Sequence, residues 1–125
     1  MKGLEFVFLG LGGILGTFLR YKLLESQLLF NFIPLNTLIV NILGSFILGI
    51  FIVSSIHFNI DGKYALFIAV GFCGSLTTFS AFALDNSALL ENNQYGIMFV
   101  NIIANVGLAI AALFAGKTLM NAILN

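Results

Sequence analysis

Charge is what this chain has least of: ten of its 125 residues are Lys, Arg, Asp or Glu, whereas 60% are hydrophobic. A soluble domain of this size needs a surface of mixed charge, so water is not the main solvent here. The five cations, Lys2, Arg20, Lys22, Lys63 and Lys117, balance Glu5, Glu25, Asp61, Asp85 and Glu91 to a net charge of zero. No basic face remains for nucleic acid. The single cysteine, Cys73, can form no disulfide within one chain. The single histidine, His57, falls near a predicted helix end and reads as interfacial. There is no His and Cys metal cluster, no phosphate-cradling glycine loop, no Ser-His-Asp set and no paired buried carboxylates. Catalysis therefore has no candidate residues, and the chain is not expected to be an enzyme.

What is present are long stretches without charge, at residues 6–19, 26–60, 64–84 and 92–116. A hydrocarbon core about 30 Å thick takes roughly 20 apolar residues per crossing helix. The expectation is an all-α integral membrane protein of four transmembrane helices, near 3–24, 34–57, 64–89 and 95–119, forming a single domain over residues 1–125. The first span starts almost at Met1 and lacks a small-residue cleavage site, so it reads as a retained helix. Four crossings put both termini on one side. Lys2, Lys63 and Lys117 then flank that side and Arg20 and Lys22 the other, too even a count to fix an orientation by positive charge. Insertion both ways up is expected.

Polar residues are placed sparsely along the spans. Helix one carries Gly12 and Gly16 at i, i+4, a spacing that lets two backbones approach closely, and ends on Arg20 and Tyr21, which suit the headgroup level. Pro34 suits the first turn of helix two, with Asn36 as a further local start signal. Thr37, Asn41 and Ser45 follow at i, i+4 and i+8 and form one polar line, which either bonds another helix or lines a path. Helix four repeats the pattern with Asn101 and Asn105, with the same two readings.

The third span holds the run Gly71-Phe72-Cys73-Gly74-Ser75-Leu76-Thr77-Thr78-Phe79-Ser80-Ala81-Phe82. Glycines, threonines and serines crowd the middle of one crossing, which predicts a third helix broken near its middle, or at least kinked there. Carbonyls freed at a break are hard oxygen ligands for an alkali cation. Phe79 and Phe82, at i and i+3, share a face either as core or as part of a site. All five acids fall near predicted helix ends, so the spans carry no mid-membrane carboxylate of the kind a proton-coupled exporter needs.

Taken together, Gly12 to Gly16 with Arg20-Tyr21, Asn41-Ile42-Leu43-Gly44-Ser45-Phe46, and Gly71 to Phe82 make the chain resemble the Fluc (CrcB-type) fluoride channels over nearly its whole length. The resemblance implies an antiparallel, dual-topology homodimer with two pores in the cell (inner) membrane, passively exporting fluoride to relieve its toxicity. Its partners would be fluoride, membrane lipid and a second copy of the chain. The resemblance assigns Phe79 and Phe82 to an aromatic box that contacts the anion and Asn41 to a pore-lining donor. The carbonyls of Gly74 and Thr77, taken from both chains, would form a central site for a structural sodium ion. Thr78 and Ser80 would lie beside the path, with Thr37, Ser45, Asn101 and Asn105 along it and Arg20 near an aqueous vestibule.

Two departures stand out: Asn101 and Asn105 replace hydroxyls common in the fourth helix, and Ala81, Ala83 and Asp85 replace hydroxyls and a Glu after the aromatic pair. The rival classes are a small dual-topology multidrug exporter, which would need an acid within residues 6–19, and a non-transporting assembly subunit, which would need no polar stripes.

Overall fold

The computed structural model describes residues 2–26, 29–30 and 33–125. Helix α1 spans Lys2–Glu25. The two-residue strands β1 (Leu29–Phe30) and β2 (Ile33–Pro34) pair antiparallel, Leu29 opposite Pro34 and Phe30 opposite Ile33, and lead into α2 (Leu35–His57). The third crossing is composite. It starts as α3 (Gly62–Ala65), widens to a π-helical stretch over Leu66–Cys73, tightens to α4 (Gly74–Leu76), and resumes after two extended residues as α5 (Phe79–Glu91). Helix α6 spans Tyr95–Leu124.

Among the described residues, four helical segments are long and apolar enough to cross a membrane: Lys2–Glu25, Leu35–His57, Gly62–Glu91 and Tyr95–Leu124. At 1.5 Å per residue even the 23 residues of α2 reach about 34 Å, enough for the hydrocarbon thickness. Outward-facing side chains agree, since Phe6, Ile14, Phe18, Phe99, Ile103 and Phe114 are all exposed on the helix flanks.

Several boundaries differ from those expected. Pro34 stands just outside α2 as its cap residue, with its neighbour Ile33 in the short ladder. Asn36 lies in the first turn of α2 and also acts as a tie, its Nδ2 donating to the Leu23 and Ser26 carbonyls at the end of α1. The third crossing begins at Gly62 because the Asp61 carboxylate caps it, accepting from the Lys63 N–H at 3.0 Å. Helix α6 runs to Leu124 and not 119, because Lys117 is no helix breaker and residues 118–124 contain neither Gly nor Pro. The connections after α2 and α5 turn on Asn59 and Asn93, both at positive φ, which Asn adopts more readily than most residues.

Glycines set how the crossings pack. A Cβ on Gly12 or Gly16 would overlap the Phe67 or Phe72 carbonyl, so α1 lies backbone to backbone on the π-helical stretch. Helices α2 and α6 meet the same way, Gly49 under the Leu113 carbonyl and Gly116 under that of Phe46. Overpacking of this sort costs about 1–3 kcal/mol even against movable side chains, and here the obstacle is backbone. Gly16→Ala is therefore expected to lower the thermal unfolding temperature of the purified protein clearly. Gly107→Ala, where nothing lies within 4 Å, should leave it unchanged. Equal effects at the two positions would contradict this packing.

Candidate functional site

The third crossing is interrupted at Thr77 and Thr78, whose backbones are extended (φ −77°, ψ 153° and φ −148°, ψ 121°). The interruption is held open by substitution of donors. Thr78 N–H, which would serve the Gly74 carbonyl in an unbroken helix, instead donates to Asn41 Oδ1 at 2.8 Å. Ala81 N–H, which would serve Thr77, donates to the Thr78 hydroxyl at 3.1 Å and so caps α5. The Ser75 carbonyl accepts from Arg20 Nε at 2.8 Å. A guanidinium at this point also sits well for the negative end of the preceding helical stretch.

Beside the interruption lies a cleft of about 380 Å³ between α2, α6 and the third crossing. Asn41, Ser45, Gly74, Thr77, Thr78, Phe79, Phe82 and Asn105 line it, together with Gly44 and apolar side chains. Gly44 matters because a Cβ there would strike the Thr77 methyl. Phe79 is 78% exposed, and its ring lies 5.3 Å from that of Phe82 at 52°. Asn41 Nδ2 donates to Asn105 Oδ1 at 3.1 Å and more loosely to the Thr78 carbonyl at 3.3 Å.

Other residues singled out in the sequence lie elsewhere. Thr37 is buried and, though on the same line as Asn41, lies outside the cleft lining. Ser80 is exposed outside the cleft lining, 3.1 Å from the Thr78 hydroxyl. Asn101 is fully buried, with its amide bonded to Asn86 and Asn105. Arg20 is half-buried against the interruption.

Asp85 corrects the expectation that every acid sits at a helix end. Helix α5 begins only at Phe79, so Asp85 falls in its middle, with Oδ2 buried and without a hydrogen-bond partner among the described residues. It too is absent from the cleft lining. Asn86 was not singled out in the sequence, although Phe79, Phe82 and Asn86 at i, i+3 and i+7 could have revealed it as one face of α5.

Comparison with known proteins decides the family. The model of "CrcB-like protein, Camphor Resistance (CrcB)" matches residues 7–117. The chain belongs to the CrcB-like family. Among curated relatives, a Nitrosopumilus maritimus protein is 66% identical over 125 residues, covering 100% of this chain and 99% of its own. A Methanococcus maripaludis protein is 44% identical over 114 residues, covering 90% and 93%. One from Pyrococcus abyssi is 36% identical over 107 residues, covering 85% and 87%. All three are named fluoride-specific ion channel FluC. With four helices able to cross a bilayer, this CrcB-like chain is a multi-pass membrane protein.

Proposed function

We propose that the chain is a fluoride-selective channel, passively exporting fluoride across the cytoplasmic membrane and so relieving its toxicity. The observation that carries the reading is the cleft beside the interruption, where amide, hydroxyl and aromatic groups converge in a chain whose relatives are named fluoride channels. Fluoride is small and strongly hydrated, so it enters only where other donors replace its water. The Ser45 and Thr78 hydroxyls and the positive ring edges of Phe79 and Phe82 are such donors, and Asn41 Nδ2 becomes one by exchanging its loose 3.3 Å bond to the Thr78 carbonyl for the ion. Among the described residues, the lining contains no cationic side chain to trap the anion, which suits conduction, since sites must release what they bind. Thr37, Ser80, Asn101 and Asn105 extend the polar surroundings of the path, and Arg20 holds the Ser75 carbonyl just before the interruption.

The working unit in this reading is an antiparallel pair of single-domain chains with two pores. The Gly74 and Thr77 carbonyls of both would hold a structural sodium ion. The donor set fits, because the N–H groups that would normally bond those carbonyls are committed to Asn41 and to the Thr78 hydroxyl. Sodium would supply only charge to bind the two chains at their crossing. Within one chain, a Cβ on Gly74 meets nothing closer than the Ala69 carbonyl at 3.8 Å. Gly74→Val should therefore abolish pairing only if the partner fills that space, whereas Thr77→Ser should pair normally. Normal pairing of Gly74→Val, or cysteine crosslinks found only between parallel copies, would count against the shared site.

The function itself is tested by fluoride efflux from liposomes holding the purified protein. Rapid fluoride loss with retention of chloride supports a channel. Efflux that requires an opposing proton gradient would favour an exporter, and no efflux an assembly subunit.

A further inference from the structure

Four asparagine side chains connect three crossings in one unbroken series. Asn86 Nδ2 donates to the Phe82 carbonyl at 2.8 Å, and Asn101 Nδ2 donates to Asn86 Oδ1 at 3.1 Å. Asn105 Nδ2 donates to both the backbone carbonyl and Oδ1 of Asn101, at 3.0 and 3.1 Å. Asn41 Nδ2 donates to Asn105 Oδ1 at 3.1 Å, and Asn41 Oδ1 accepts from Thr78 N–H at 2.8 Å.

The direction of every amide follows from the fixed ends. Thr78 N–H can only donate, so Asn41 must offer it an oxygen and turn its nitrogen toward Asn105. Asn105 must then accept with Oδ1, which sends its own nitrogen to the Asn101 carbonyl, a group that can only accept. Asn101 passes the same polarity to Asn86, whose nitrogen ends on the Phe82 carbonyl, again an obligatory acceptor. Turning over any one amide would set N–H against N–H at one side and oxygen against oxygen at the other. Both ends of the series lie on the same short segment, Thr78 and Phe82, so the loop leaves α5, passes through α6 and α2, and returns.

We propose that Asn86 and Asn101, neither of which lines the cleft, are positioning residues. With Asn105 and Asn41 they form a one-way amide clasp around the first turn of α5 that sets where Phe79 and Phe82 stand. The turn so held carries both rings, and rotating α5 to move either one breaks the series at the Asn101–Asn86 link. The clasp rests on the channel reading for its consequence, but its geometry does not. Ordinary interhelical bonding would only keep the bundle together, and the two roles separate experimentally.

The test measures fluoride efflux from liposomes over graded fluoride concentrations, for the wild type, Asn86→Ala, Asn101→Ala and the double variant, with chloride as control. The half-saturating fluoride concentration should rise about tenfold in Asn86→Ala, of the order expected for one lost hydrogen bond. The double variant should be no worse than the poorer single one, because one cut already opens the clasp. If half-saturation is unchanged and only the fraction of active liposomes falls, the bonds merely hold the bundle and the clasp is wrong. Should Asn101→Ala fail to fold, Asn86→Ala at its half-buried site still decides the matter. If the wild type passes no fluoride, the channel reading fails separately. Side-chain amide hydrogen exchange at Asn101 and Asn105 then judges the clasp: faster exchange in Asn86→Ala supports it, and unchanged exchange overturns it.

Discussion

Phe79→Ile and Phe82→Ile are each expected to leave a folded protein that passes fluoride about a hundredfold more slowly, a loss corresponding to roughly 2.8 kcal/mol. The reason lies in what isoleucine keeps and what it drops. Phe79 is largely exposed and Phe82 lines the same cleft, so neither ring is an enclosed core element whose loss would empty a cavity. Exchange for another apolar side chain costs packing little. It removes the positively polarised ring edge, the only feature by which a phenyl group can replace water around an anion. Efflux from liposomes, read beside thermal stability, separates the two effects. Wild-type efflux from both folded variants would make the pair ordinary packing.

Asn41→Asp should block conduction more completely. The carboxylate can still accept from Thr78 N–H but donates nothing, so Asn105 Oδ1 and the Thr78 carbonyl lose their donor and face a negative charge. A fluoride ion about 4 Å from that charge is repelled by roughly 4 kcal/mol at an effective dielectric constant of 20, which slows passage about a thousandfold. Acidification should restore part of the flux by protonating the new carboxyl. A folded Asn41→Asp variant conducting normally at neutral pH would remove Asn41 from the path.

Much of this arrangement is legible in the sequence because hydrocarbon permits few solutions. Runs free of charge give the four spans, and the crowding of Gly, Ser and Thr from Gly71 to Ser80 falls where the structure departs from a regular helix. Periodicity says which residues share a face, but not which neighbour that face meets. Thr37, Asn41 and Ser45 form one stripe, yet Thr37 is buried away from the cleft while the other two line it. Asn101 and Asn105 likewise share a face, but only Asn105 borders the cleft, because Asn86 comes from α5 to cover Asn101. Asp85 stands in the middle of α5 because that helix starts only at Phe79, which the nearness of the next loop in the sequence does not reveal. The π-helical widening over Leu66–Cys73 leaves no trace in a uniformly apolar run. Charge misled at Lys117, whose long stem lies along the helix with its ammonium 5.7 Å from the Phe114 ring centre.

The most direct measurement is the reversal potential of the current carried by purified protein in a planar bilayer, with fluoride graded tenfold across it and chloride equal on both sides. A passive fluoride-selective pore should reverse near fluoride's own equilibrium potential, about 59 mV for a tenfold gradient of a singly charged ion. Reversal near zero, or a current that follows an imposed proton gradient instead, would contradict it.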